Sequence, residues 1–191
     1  WLTAIHAAFK DAGGLEDVEA ISIAGQQHGM VALDSDGEVI RPALLWNDTR
    51  SSAEAAALDA NPAFRAQTGN IVFPGFTAPK INWLAAHEPA IRAKIAKVLL
   101  PKDYLRLYLT GEHVGEMSDA AGTMWLDVEK RDWHDGMLQA CGLSRQQMPK
   151  LVEGNQITGH LNPDLAIKWG MQSVPLVAGG GDNAAGAIGV G

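Results

Sequence analysis

The stretch VPLVAGGGDNAAGAIGVG, residues 174–191, decides the fold. Its opening five residues form a short apolar run suited to a buried strand, and the run ends in three glycines and an acid. The alanines at 184, 185 and 187 then predict the start of a helix. A strand that enters a glycine turn and continues into a helix is a unit of α/β architecture. Such a unit also admits ligands, because glycines let the backbone approach closely and a helix start offers free N–H groups. Asp182 stands at this junction and has two readings. It can cap the helix, accepting a bond from the N–H two or three residues on. It can instead be a general base at the carboxyl end of a sheet, where the ligands of open α/β sheets collect.

A second unit of this kind lies upstream. VEAISIA, residues 18–24, contains several β-branched residues and runs into GQQHG, residues 25–29. A strand ending there puts Gln26, Gln27 and His28 at its carboxyl end. Amides and an imidazole supply both donors and acceptors, which suits neutral hydroxyls, although a polar surface turn accounts for the same residues. Trp46, Asn47 and Asp48 follow in a loop and either line a polyol site or, for Trp46, simply pack.

Between and around these units the pattern is largely helical. Leu2, Ile5, Ala8 and Phe9 recur at helical spacing and Gly13-Gly14 ends that helix. Val31–Leu33 and Val39–Ile40 flank a turn at residues 34–37 and predict a hairpin. Helices are predicted over residues 51–58, 62–67, 78–86, 89–95, 101–109, 134–140 and 163–169, several opening on a proline, which the first turn tolerates. Residues 123–128 read as a strand, and Met117, Met124 and Trp125 as core. The whole predicts an α/β fold with a helical insertion.

Composition narrows the function. A net charge of -7 over 191 residues, with no basic stripe, argues against a nucleic-acid partner. No apolar run approaches the roughly 20 residues of a membrane span, so no membrane partner is expected. The single cysteine, Cys141, and the absence of a signal-peptide pattern predict a cytoplasmic protein. His6, His87, His113, His134 and His160 have no ligand spacing with one another or with Cys141, so no metal site is assigned. No P-loop occurs. Gly179 and Gly181 begin a dinucleotide fingerprint whose third glycine is replaced by Ala184, which leaves a nicotinamide-dependent oxidoreductase as a weaker reading. The chain opens inside a helical pattern and closes where a helix has just begun, so both ends read as cut.

Six segments taken in order resemble the xylulokinases of the FGGY carbohydrate kinase family: GQQHG at 25–29, WNDTR at 46–50, PGFTAPKINW at 74–83, LLPKDYLRLYLTGE at 99–112, SDAAGTMWLD at 118–127 and GGGDNAAGAIGVG at 179–191. The resemblance implies an actin/hexokinase-like (ribonuclease H-like) N-terminal kinase domain, lacking its first strands and the second, nucleotide-binding domain. It implies Asp182 as the catalytic base and Gln27, His28 and Asn183 as sugar contacts. Gln27 departs from the Met common at its position, which bears on the choice of sugar. Gly75 replaces an aromatic residue of glycerol kinases and leaves room for a longer substrate.

The reaction implied for the parent enzyme is transfer of the γ-phosphoryl of ATP, with Mg²⁺, to the terminal hydroxyl of a ketopentose, D-xylulose. The groups that hold ATP and Mg²⁺ are expected largely outside residues 1–191, so this chain alone is expected to lack turnover. An alternative is a noncatalytic module that binds sugar or self-associates, for example as a homodimer, through an uncovered sheet edge.

Overall fold

The computed structural model describes all 191 residues. In chain order the elements are α1 (Leu2–Ala12), β1 (Ile21–Gly25), β2 (Val31–Leu33), α2 (Ser52–Asp59), α3 (Pro62–Thr68), α4 (Thr77–His87), α5 (Pro89–Arg92), β3 (Lys97–Leu99) and α6 (Pro101–Thr110). They continue with β4 (Val114–Glu116), α7 (Met117–Ala120), β5 (Leu126–Asp127), β6 (Asp132–Trp133), α8 (Asp135–Ala140), β7 (Lys150–Val152), β8 (Ile157–His160), α9 (Pro163–Trp169), β9 (Pro175–Gly181) and α10 (Asp182–Val190).

Local chemistry sets most helix ends where the sequence puts them. Asn61 and Asn162 cap α3 and α9, accepting from Ala63 N and Asp164 N at 3.0 and 2.8 Å, and each is followed by a proline in the first turn. Gly69, Gly111 and Gly170 end α3, α6 and α9 in the left-handed conformation.

The organising sheet runs in the order β1-β9-β8, with β1 parallel and β8 antiparallel to β9. Because β1 and β9 are parallel neighbours, their carboxyl ends emerge at the same edge, and Gly25 is registered opposite Gly181. The glycine run is therefore strand, where the sequence suggests a turn. The register moves from Ser22↔Val177 to Ala24↔Gly180, so β9 carries one extra residue there. Gly179, at φ 75°, lies in this bulge, and a Cβ on it would sit 2.1 Å from Ile23 O. Only glycine allows the two strands to stay paired up to the site.

Two main cores flank this frame, beside a small third one of Val31, Leu33 and Leu99. The larger draws on residues 30–148, the helical insertion between β1 and β8, with Phe64, Ile81, Leu84, Met124 and Trp125 at its centre. The smaller lies under the sheet, where Leu109, Leu161 and Leu176 pack with Ile21 and Ile23. The expected hairpin is only partly present. Its turn is tight, with Asp34 Oδ1 accepting from Asp36 N and Glu38 N, but the return arm gives a single bridge, Leu33↔Val39. The real partner of β2 is β3, remote in sequence. The strand predicted over 123–128 shrinks to β5, because Met124 turns the chain at φ 71° to bury its side chain.

Candidate functional site

Gln27, His28, Trp46, Asp182 and Asn183 line one cleft of about 340 Å³ at the shared carboxyl edge of β1 and β9. Segments more than 150 residues apart are thus joined by strand pairing, and Asn183 Nδ2 donates to Gln27 Oε1 at 3.2 Å. That bond leaves Gln27 Nε2 as a free donor and Asn183 Oδ1 as a free acceptor. Gly181 makes the approach possible, since a Cβ on it would lie 2.5 Å from Gln27 Nε2. Asn47 and Asp48 do not join the cleft. They line an adjacent open depression with Arg50, whose Nε donates to Asp48 at 2.9 Å.

Asp182 is the first residue of α10, and Gly181 takes the cap position. Its Oδ1 accepts only from Asn183 N, at 2.9 Å, one residue on. The bond expected of an N-cap is not made, and the carboxylate is exposed at the mouth of the cleft. The turn presenting it is anchored from below: Ser118 Oγ accepts from Gly181 N at 3.3 Å and donates to Glu116 Oε1 at 2.8 Å.

His28 is held in one orientation. Its backbone is left-handed at φ 66°, rare for a residue with a side chain, and Thr77 Oγ1 and Lys80 Nζ both donate to its carbonyl. Its Nδ1–H donates to Gly122 O at 3.1 Å, and Phe76 meets the ring edge-on at 4.5 Å. Burial lowers the imidazole pKa below its ordinary 6.5; the Gly122 bond opposes this, Lys80 adds to it and Asp182 opposes it more weakly. A neutral ring with Nδ1 protonated leaves Nε2 as an acceptor. One carboxylate, two amides and a neutral imidazole make a cleft suited to a polyhydroxyl ligand.

Beneath the cleft lies a buried charge cluster. Lys102 Nζ is 2.8 Å from Asp103 Oδ1, 3.4 Å from Glu116 Oε1 and 3.4 Å from Asp119 Oδ2, and Arg106 Nη1 is 2.7 Å from Asp103 Oδ1. Arg106 also donates to Val114 O and to Ala178 O, tying α6 to β4 and β9. Burial favours the neutral amine of Lys102, but Asp103, Asp119 and Glu116 outweigh it and raise its pKa. Burial pushes Asp119 up to about 8 against the pull of Lys102, which favours its neutral form.

The fold agrees with what the chain resembles. Residues 3–189 match the FGGY family of carbohydrate kinases, N-terminal domain. The chain belongs to the FGGY family. Relatives within it include the xylulose kinases of Escherichia coli strain K12 and Klebsiella pneumoniae, 60% and 53% identical, each alignment covering 100% of this chain. The chain spans about 40% of the length of either relative. A solved xyloylose kinase from Brucella ovis superposes with a TM-score of 0.89 at 53% identity, over 96% of this chain and 38% of that one. The FGGY assignment carries the mixed α/β, sugar-kinase fold class with it.

Sequence reasoning named the five residues that line the cleft, Trp46 as one of two readings, and missed their supports: Thr77, Lys80, Ser118, Glu116 and Gly122. Thr77 and Lys80 lie within PGFTAPKINW and Ser118 and Gly122 within SDAAGTMWLD, segments used for resemblance alone. Nothing in their composition indicates which of them bond to distant backbone.

Proposed function

We propose that this chain is the larger part of the sugar-binding domain of an ATP-dependent ketopentose kinase acting on D-xylulose, with the nucleotide-binding domain elsewhere in the protein. The observation that supports this reading is the convergence of Asp182, Asn183, Gln27 and His28 on one polar cleft, in a chain 60% identical to a xylulose kinase. In the proposed reaction the terminal hydroxyl of the sugar gives its proton to Asp182 as its oxygen bonds to the γ-phosphorus of ATP, and the bond to the ADP oxygen breaks. Such transition states are loose, so orientation of the hydroxyl matters at least as much as base strength. Gln27 Nε2 donates to the sugar, and Asn183 Oδ1 and His28 Nε2 accept from it.

No group of three or more His, Cys, Asp or Glu side chains converges as metal ligands would. Mg²⁺ is held mostly by phosphates and water with one or two carboxylates, so the ion enters this reading as the companion of ATP. A cytoplasmic location suits these substrates, and no helix is long and apolar enough to cross a membrane. A noncatalytic, sugar-binding or self-associating role is the second reading, because β1 pairs on one side only and an open strand edge can pair with another chain.

The test uses the whole protein and a coupled assay of D-xylulose-dependent ADP formation. Asp182→Asn keeps shape and loses the base, so turnover is expected to fall by about 100-fold or more, with sugar affinity within about tenfold. Near-parental turnover in that variant removes Asp182 from the role of base, and no activity in the parent leaves the noncatalytic reading.

A further inference from the structure

Lys80 is fully buried on α4, yet no carboxylate pairs with it and Asp48 acts on it only at a distance. Its Nζ donates to two backbone carbonyls, that of His28 at 2.8 Å and that of Gly75. A buried amine without a counter-charge is costly, and packing alone would be served by Met or Leu. Burial lowers its pKa to about 7, and the neutral amine still has two N–H groups for the two carbonyls.

Both carbonyls belong to backbone that shapes the cleft. His28 sits in left-handed backbone and takes a second bond on the same oxygen from Thr77 Oγ1 at 3.1 Å. Gly75 packs so tightly on the backbone of Trp46 that a Cβ would lie 2.5 Å from Trp46 O. We propose that Lys80 is a positioning residue of the sugar cleft, clamping the His28 and Gly75 carbonyls so that the His28 ring and Trp46 face one ligand. This rests on the ketopentose reading of the cleft and adds how its specificity is held.

Lys80→Met in the whole protein keeps side-chain length and removes both donors. The Michaelis constant for D-xylulose is expected to rise at least about tenfold, with kcat within about threefold and the constant for ATP unchanged, because binding common to ground and transition states is lost. The melting temperature is expected to stay near the parental value, since the burial cost of the amine is removed along with its two hydrogen bonds. An unchanged sugar constant overturns the proposal, and so does a loss of stability in which both substrate constants move together. If Lys80→Met does not fold, Thr77→Val removes the other donor to His28 O. It is expected to raise the sugar constant about threefold without touching that for ATP, and no rise overturns the proposal. Absence of ketopentose phosphorylation by the parent refutes the functional reading instead. The clamp is then read from the ¹⁵N signals of His28, expected as the Nδ1-protonated tautomer in the parent and as an averaged pair in Lys80→Met; identical signals overturn it.

Discussion

Replacing Gly122 with alanine adds one methyl group at the back of the His28 ring. The new Cβ would stand 2.3 Å from His28 Nδ1 and 2.4 Å from Cε1. Carbon contacts are comfortable near about 3.5–4.0 Å, so the overlap exceeds what small shifts absorb. The ring cannot slide aside, because Phe76 closes on it at 4.5 Å. Gly122 itself has no left-handed backbone to strain, so the effect falls on His28. Either the ring swings out, losing its bond to Gly122 O at a net cost of about 0.5–1.5 kcal/mol, or the cleft distorts at about 1–3 kcal/mol. In both cases a sugar hydroxyl loses its acceptor. A partner left unpaired costs about 1–3 kcal/mol, which converts to roughly 5-fold to 150-fold weaker binding of D-xylulose. Calorimetric titration of the whole protein measures this directly. Gly186→Ala serves as the control: a Cβ there meets nothing within 4 Å, and alanine suits the helix, so affinity is expected to stay at the parental value. Affinity within twofold of the parent in Gly122→Ala refutes the placement of His28 as a sugar contact.

Two further predictions concern stability against pH. His113 is lowered to about 4, first by burial and then by Lys97, whose Nζ lies 3.4 Å from its Nδ1. The unfolded chain then binds the extra proton between about pH 6.5 and 4, so this residue makes stability fall as pH falls through that window, and His113→Gln is expected to flatten the urea-unfolding profile there. Asp119, raised to about 8, works in the opposite sense: the folded state binds the extra proton above about pH 4, and stability is lost as pH rises through 8. Asp119→Asn is expected to unfold at a higher urea concentration than the parent at pH 9, and a lower midpoint there counts against a protonated Asp119.

The fold was legible where a local signal and the tertiary demand agree. Pro62 and Pro163 in first turns, with Asn before them and Gly after the helix, mark α3 and α9 almost to the residue. The cleft was legible through two strand-to-glycine junctions, since residues past the ends of parallel strands share an edge whatever separates them in sequence. Lys97–Leu99 was missed because three residues carry no period, and β2 takes it as a partner across more than sixty residues while the nearer Val39 yields a single bridge. The glycines at 179–181 were read as a turn because glycine is permissive. In the structure that permissiveness serves a bulged strand, a use composition cannot distinguish from a turn.

The charges of LLPKDYLRLYLTGE show the limit most clearly. A helix carrying Lys102, Asp103 and Arg106 in its first turns reads as one with a solvated face. All three are buried here, because α6 begins directly beneath β1, where a Cβ on Gly25 would meet Lys102 Cβ at 2.9 Å. Water is excluded by that contact, so each charge has to be answered by another brought from β4 or α7. Lys102 and Arg106 face Asp103 and Glu116, and burial favours the neutral form of Asp119 beside them. Glu116, held in this balance, accepts from Ser118, and Ser118 accepts from Gly181 N, one residue before Asp182. The exposed carboxylate at the cleft mouth therefore stands on a chain of hydrogen bonds whose far end is fixed by buried charge. No sequence period can reveal that chain, because its links join α6, β4, α7 and β9 only once the sheet has formed.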